Sequence, residues 1–96
     1  MKVDYKLCPK YEKVFKWLGK RWNGLILRCL QDQPMRFTEL ASCLHNCSDK
    51  VLTERLKELE VEGLIEHIDH HYHLTQLGHD LNQSLDSIQT FADKNL

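Results

Sequence analysis

Residues 37–64, FTELASCLHNCSDKVLTERLKELEVEGL, decide the fold of this chain. Apolar residues recur at helical spacing on both sides of the polar tripeptide His45-Asn46-Cys47, which has the composition of a turn. The pattern predicts one helix over Thr38–His45 and a second over Ser48–Glu62. Two helices joined by a turn this short are typical of a helix-turn-helix.

Three residues set the predicted ends of these helices. Thr38 and Ser48 are suited to N-cap positions, because their hydroxyl oxygens can accept a hydrogen bond from a free backbone N–H of the first turn. Gly63 follows the second helix, where a residue in the left-handed conformation commonly ends a helix. Leu52, Leu56 and Leu59 are the predicted buried stripe between these ends.

The flanking sequence adds helices before this pair and a hairpin after it. Helical spacing extends over residues 10–18 and 21–32, and Pro34 is expected to stop the second of these helices. Leu64–Ile68 and Tyr72–Leu74 are short strand candidates around a turn at Asp69-His70-His71, and Thr75 is expected to cap one final helix. The predicted fold is mainly α with a small β-hairpin, a winged helix-turn-helix, in a single domain over residues 1–96.

Composition excludes several classes of protein. The chain has 96 residues, of which 42% are hydrophobic and 28% charged, as in an ordinary globular domain. No apolar run approaches the roughly 20 residues that cross a bilayer, and the first residues have no apolar signal-peptide core. We therefore expect a cytoplasmic protein without a membrane partner, whose four cysteines are reduced thiols.

Charge is unevenly distributed along the chain, although the net charge is only −1. Residues 1–29 hold eight basic and two acidic side chains, a net +6, whereas residues 30–96 hold five basic and twelve acidic ones, a net −7. Such segregation can give a basic face on a nearly neutral molecule. A solvated, lysine-rich helix surface is the alternative interpretation.

The exposed face of the second helix is the predicted DNA-reading surface. It presents Lys50, Thr53, Glu54 and Lys57, with Ser48 at the N-terminus, and such side chains can meet base edges in the major groove. Any amphipathic surface helix also has a polar outer face, so this alternative stays open. The other predicted DNA contacts are Lys20, Arg21, Arg36, His70 and His71.

Metal binding and catalysis find little support in the residues. Cys43 and Cys47 lack a matching second pair at zinc-site spacing, and the histidines of the hairpin region are expected to be surface residues. The sequence has no glycine-rich phosphate loop and no pattern of a catalytic triad. We therefore predict no metal, no cofactor and no enzymatic activity.

Four segments of the chain occur in an order and spacing that together are specific. These are Gly19, Arg21, Trp22, Leu25 to Arg28; then Phe37, Glu39 and Leu40; then Ser48, Lys50, Leu52, Thr53, Arg55, Leu56, Leu59, Glu60, Gly63 and Leu64; and finally Tyr72, Leu74, Thr75 and Gly78. With these segments, the sequence from Cys8-Pro9 to Leu81 resembles the HxlR-type family of winged-helix transcription regulators, within the MarR-like group.

The resemblance implies a homodimer that binds a palindromic operator in double-stranded DNA. It also implies a cysteine near the N-terminus, here Cys8, that senses oxidants or electrophiles in some members. The family's wing is usually longer and basic, so the short turn after Ile68, and His67 where the family tends to have arginine, put wing contacts in doubt.

Two further predictions come from the residues themselves. The final helix carries an apolar stripe suited to pairing with a second copy, namely Leu77, Leu81, Leu85 and Ile88, and the N-terminal arm with Val3, Tyr5 and Leu7 is a candidate to complete this interface. Cys8 precedes Pro9 at a helix start, where free N–H groups, Lys6 and Lys10 favour a thiolate. Burial is expected to keep Cys29, Cys43 and Cys47 less reactive.

The alternative to a DNA-binding regulator is a winged helix that serves as a protein-interaction module.

Overall fold

The computed structural model describes residues 7–96, which form six α-helices and one β-hairpin. None of these helices is long and apolar enough to cross a membrane. In chain order the elements are α1 (Pro9–Leu18), α2 (Arg21–Cys29), α3 (Phe37–Cys43), α4 (Asp49–Val61), β1 (Ile65–Ile68), β2 (His71–Leu74), α5 (Gln76–Ser84) and α6 (Asp86–Asn95).

The core is aliphatic and lies between α2, α3, α4 and the base of the hairpin. Leucine and isoleucine side chains from each of these elements are almost fully removed from solvent, and each such burial stabilises the fold by about 1.5–3 kcal/mol. The buried set is Ile26, Leu27, Leu30, Leu40, Leu44, Leu52, Leu56, Leu59, Leu64, Ile65 and Leu85.

The predicted helix-turn-helix is confirmed by the turn between α3 and α4 and by the caps of α4. Asn46 has a φ of 68°, a left-handed conformation that asparagine tolerates better than most residues, and it lies in the turn of five residues between α3 and α4. The Ser48 hydroxyl accepts a hydrogen bond from the Val51 backbone N–H at 3.1 Å. Gly63, with a φ of 78°, follows the end of α4 as predicted.

The prediction that Thr38 caps α3 is wrong, because the helix begins one residue earlier, at Phe37. Arg36 is the N-cap residue, and its backbone N–H donates to the Glu39 carboxylate at 2.8 Å. A carboxylate at the third helical position can reach back in this way and satisfy the N-cap backbone. Thr38 is therefore an exposed residue of the first turn.

The hairpin has a shorter turn than the sequence predicts. Ile65 pairs with Leu74 and Ile68 with His71, so that only Asp69 and His70 remain in the turn. Both have positive φ, 50° and 65°, as in the mirror-image turns that match the twist of two-residue hairpins. His71 is thus a strand residue.

A pair of backbone hydrogen bonds attaches the hairpin to the segment before α3. The Met35 N–H donates to the Tyr72 carbonyl at 3.1 Å, and the Tyr72 N–H donates to the Met35 carbonyl at 2.7 Å. The chain is therefore extended at Met35. The pairing also fixes the hairpin beside the start of the helix-turn-helix.

The single final helix of the prediction is divided at Leu85. The Leu85 N–H is shared between the carbonyls of Leu81 and Asn82, a tightened turn, and α6 restarts at Asp86. Leu85 is only 8% exposed and packs in the protomer's own core, and Leu81 is half-buried against that core. Leu85 is therefore a core residue of the protomer, whereas half-buried Leu81 remains a predicted interface residue.

Candidate nucleic-acid interface

The outer face of α4 carries the predicted DNA-reading side chains in the predicted arrangement. Lys50, Thr53, Glu54 and Lys57 are all exposed, whereas the leucines on the opposite side of α4 are buried in the core. Because the buried leucines fix the rotation of α4, the polar face is held outward along the length of the helix. The amphipathic geometry of α4 is confirmed.

The polar side chains on this face differ in whether their hydrogen-bonding groups are already used within the protein. The Ser48 hydroxyl is used as the helix cap, and the Thr53 hydroxyl donates to the Asp49 carbonyl at 2.8 Å, which leaves the Thr53 methyl group and an oxygen lone pair exposed. Within residues 7–96, neither Lys50 nor Lys57 forms an ion pair. Both ammonium groups are available to an anionic partner.

Arg21 lies near the N-terminal end of α4. Its guanidinium is stacked over the Trp22 ring at 4.5 Å, which orients it. Burial raises the pKa of the Cys47 thiol, next to Ser48, and the positive charges of Arg21 and Arg55 partly oppose that rise. An arginine this close to the start of α4 adds positive charge where backbone N–H groups already favour an anion.

Lys20 is the N-cap residue of α2, at the helix start where the sequence places it, but its side chain is engaged within the protomer. Its ammonium lies 2.7 Å from the Glu58 carboxylate, with which it forms an ion pair. Glu58 follows Lys50 by eight residues, which is about 12 Å along the helix axis. The structure therefore places Lys20 on the flank of α4, away from the N-terminal residues of the exposed face.

A polar network behind this flank was not identified from the sequence. Asn23, 1% exposed, donates from Nδ2 to the Trp17 carbonyl at 2.7 Å and to the Glu58 carboxylate at 3.4 Å. The hydrogen bond from Lys20 is the main cause that holds the pKa of Glu58 below its usual range, against the effect of burial. The sequence does contain a signal for this network. Asn23 precedes the core residues Ile26 and Leu27 by three and four positions, so helical spacing places this polar side chain on the buried face of α2.

A second buried asparagine joins α5 to α2. Asn82 donates from Nδ2 to the Leu27 carbonyl at 2.8 Å, and its own oxygens accept from Arg28, which also pairs with Asp86 at 2.8 Å. Buried amides are stabilising only when such partners are present. This contact holds the C-terminal helices on the core.

The two hairpin histidines that the sequence predicts as DNA contacts differ in their exposure. Arg36 and the exposed His70 line a shallow groove between the start of α3 and the hairpin. His71 is half-buried in β2, with Nδ1 2.8 Å from the Asp69 carbonyl oxygen, and His67 is stacked on the Tyr72 ring at 4.0 Å. The structure thus brings Arg36 and His70 together and directs His71 into the hairpin.

Cys8 is exposed at the N-cap of α1, as predicted. Its carbonyl accepts the Glu12 N–H at 3.0 Å, while its side chain forms no cap hydrogen bond and so remains accessible. Lys6 lies outside the described residues. The prediction that burial shields Cys43 is wrong: Cys43 is exposed, at the last residue of α3, and its Sγ lies 2.7 Å from the Sγ of half-buried Cys29.

The terminal helices have unpartnered apolar faces. Neither α1 nor α6 contains a buried residue. The rings of Tyr11 and Phe15 contact each other at a tilt on α1, with centroids 5.1 Å apart, and Ile88 and Phe91 are 60% and 63% exposed on α6. Leu77, by contrast, is partly exposed beside β1, away from these faces; Val3 and Tyr5 lie outside the described residues.

Comparison with known proteins places this geometry in a family. The HTH-type transcriptional regulator YodB of Bacillus subtilis is 41% identical over 95 residues, which cover 92% of this chain and 85% of YodB. The crystal structure of quinone-bound YodB matches with a TM-score of 0.84 and 45% identity, over 91% of this chain and 99% of that one. The diamide-treated YodB structure matches with a TM-score of 0.76 and 40% identity, over 95% and 97% of the two chains.

YodB is named as a transcriptional regulator, and a TM-score of 0.84 shows that its quinone-bound structure has the same fold as this chain. The family of HxlR-like helix-turn-helix proteins matches over residues 17–96, which include every element from α2 to α6. This chain therefore belongs to the HxlR-like family of DNA-binding, winged helix-turn-helix transcriptional regulators.

Proposed function

We propose that this regulator binds a palindromic operator as a homodimer and reads each half-site with the N-terminal part of α4. The observation that carries the proposal is the exposed face of α4, with Lys50, Thr53 and Lys57 held outward by buried leucines. Lysine can donate to guanine, and the threonine methyl group can contact that of thymine. Arg21 and Arg36 supply phosphate contacts that fix the position of the helix.

The homodimer is supported by the apolar faces of the two terminal helices. Tyr11 and Phe15 on α1 and Ile88 and Phe91 on α6 are all more than half exposed, and large exposed apolar faces commonly mark an interaction surface. A second copy is the occupant that fits, because a two-fold axis covers the same face on both subunits. The two copies of α4 would then lie about 34 Å apart, one turn of DNA.

A response to thiol-reactive compounds through Cys8 is the second part of the proposal. YodB has been crystallised with a quinone and after diamide treatment, and both reagents react with thiols. In this chain Cys8 is an exposed thiol at the N-cap of α1, where such reagents can reach it. Since α1 belongs to the proposed dimer interface, a modification at Cys8 would alter the spacing of the two α4 helices.

A protein-interaction module is the alternative function. It is favoured by the net charge of −7 over residues 30–96 and by the small hairpin turn. A surface of this charge repels phosphate. The two functions differ in how binding to duplex DNA depends on salt.

The experiment is selection of a preferred duplex from a random library, followed by fluorescence anisotropy over a range of salt concentrations. For a DNA-binding dimer we expect a palindromic site and a steep loss of affinity with salt, because phosphate contacts release counterions. Lys50→Ala should make the free energy of binding to the selected site less favourable by about 1–3 kcal/mol, and should have a smaller effect on binding to random DNA.

Lys94→Ala is the matched control, since it removes the same charge from the end of α6. It should leave the preference for the selected site unchanged. Selection that yields no preferred sequence, together with weak binding that does not respond to Lys50→Ala, would favour the interaction module instead.

A further inference from the structure

Cys29 and Cys43 lie opposite each other at the ends of two different helices. Cys29 is the last residue of α2 and Cys43 the last residue of α3, and their Sγ atoms are 2.7 Å apart. A disulfide bond needs about 2.05 Å between sulfur atoms, so the two side chains are within a small adjustment of bonding distance. Fourteen residues separate them in sequence, and their meeting results from the packing of α3 on α2.

We propose that Cys29 and Cys43 form a redox modification site, a dithiol that a hydroperoxide converts into an intrachain disulfide between α2 and α3. The site is distinct from Cys8, which lies at the start of α1. It uses only thiols present within one subunit. Neither the proposed operator binding nor the proposed dimer is needed for it.

The two thiols have different surroundings, which assigns their roles. Cys43 is exposed, so a small oxidant can reach its sulfur directly. Burial raises the pKa of Cys29 to about 12, and the hydrogen bond to Cys43 and the negative charge of the Cys43 thiolate act in the same direction. Cys29 therefore remains a thiol until Cys43 reacts. Cys43 is therefore the sulfur attacked by the oxidant and Cys29 is the resolving thiol.

The reaction balances without a cofactor. The Cys43 thiolate attacks the hydroperoxide, the O–O bond breaks, and the leaving oxygen takes a proton to give water or an alcohol, which leaves a sulfenic acid on Cys43. The Cys29 sulfur then attacks that sulfur, the S–O bond breaks, and the Cys29 proton leaves with the hydroxyl group as water. Two thiols have lost two electrons, and the hydroperoxide has gained them.

The resulting bond would hold α3 against α2 without moving either helix far. It closes a loop from Cys29 to Cys43 that contains Pro34 and the residues paired with the hairpin. Closing such a loop restricts the unfolded chain and so stabilises the folded one. We expect the oxidised protein to melt on the order of 10 °C higher than the reduced one.

The test uses the full chain with the substitutions Cys8→Ser and Cys47→Ser, which leave only the proposed pair. After treatment with equimolar hydrogen peroxide we expect both thiols to disappear while the protein still runs as a monomer on a non-reducing gel. Tryptic digestion should yield residues 29–36 disulfide-linked to residues 37–50, which a reducing agent separates. The same linked peptide, fragmented to locate the bond at Cys43, should be found in the unsubstituted chain.

Cys29→Ala in this background is the matched control, because it keeps the exposed thiol and removes the resolving one. It should accumulate a sulfenic acid at Cys43 that dimedone traps, and should show no rise in melting temperature. Covalent dimers in place of the intrachain bond, or peroxide that leaves both thiols free, would overturn the proposal. Neither readout involves DNA, so failure here leaves the proposed operator binding untouched.

Discussion

The Lys20 ammonium and the Glu58 carboxylate lie 2.7 Å apart and join the N-cap of α2 to the second half of α4. The same carboxylate accepts from buried Asn23 and lies 3.7 Å from Arg55. One acidic side chain therefore connects the helix proposed to read DNA with the helix behind it. The charge of that carboxylate therefore contributes to the contact between α2 and α4.

Glu58→Gln tests this contribution through pH. The pKa of Glu58 is lowered in the folded chain, so its contribution to stability is present above the ordinary glutamate pKa and is lost as pH falls through the lowered value. The unsubstituted chain should lose stability more steeply than Glu58→Gln below about pH 4.5. Urea unfolding at several pH values measures the difference. Glu60→Gln, at an exposed position, should behave like the unsubstituted chain, and equal acid sensitivity in all three would contradict the prediction.

Gly78→Ala should destabilise the fold, although alanine is usually the better helix former. A Cβ at Gly78, in the first turn of α5, would collide with the Leu64 carbonyl oxygen, which is held by the Thr75 N–H. We expect a loss of about 1–3 kcal/mol in urea unfolding, the usual result of overpacking.

Gly24→Ala, in α2, is the control for this substitution, since its Cβ would meet only a Leu18 methyl group at an ordinary 3.7 Å. It should stabilise the chain by up to about 1 kcal/mol. A stabilising Gly78→Ala would show that α5 can shift away from Leu64.

Phe91→Asp should prevent dimerisation and weaken operator binding. A carboxylate placed in an apolar interface has no partner, and its burial is unfavourable enough to separate the subunits. Sedimentation velocity should give a monomer, whereas Thr90→Asp, which adds the same charge on another side of α6, should remain dimeric. A dimeric Phe91→Asp would place the interface elsewhere in the chain.

Cys8→Ser should remove the response of operator binding to a quinone. We expect benzoquinone to lower the affinity of the unsubstituted dimer, because Cys8 is the exposed thiol at the start of α1. In Cys8→Ser the affinity should be unaffected, whereas Cys47→Ser should respond like the unsubstituted chain. An undiminished response in Cys8→Ser would assign sensing to another thiol.

The sequence predicts local features of this fold well where one residue determines them. Ser48, Gly63 and Thr75 act through their own hydroxyl group or backbone freedom, and each is found at the helix end predicted for it. Thr38 is the exception, because α3 begins before it. The Glu39 carboxylate accepts a hydrogen bond from the Arg36 N–H, and the backbone of Met35 pairs with the hairpin, so that Arg36 is the N-cap residue. Such pairing depends on neighbours brought close by the fold.

Tertiary neighbours also explain what the sequence could not show at the candidate site. The outward face of α4 follows from helical spacing alone. The pairing of Lys20 with Glu58 spans 38 residues, and the approach of Cys29 to Cys43 depends on how α3 packs on α2. Nothing in the local pattern around those residues identifies the partner. Leu85 was misassigned for the same reason, since periodicity does not tell a core leucine from one in an interface.

The two-residue turn of the hairpin has a consequence for how specificity could be changed. With only Asp69 and His70 at its tip, the hairpin offers little length for following the minor groove beyond the half-site. Sequence discrimination would then be concentrated in a few adjacent side chains of α4. We expect that replacing those side chains alone with the equivalent ones of a relative would transfer the relative's operator preference to this chain. The domain would then be suitable as a DNA-binding module whose specificity is set by a few substitutions in α4.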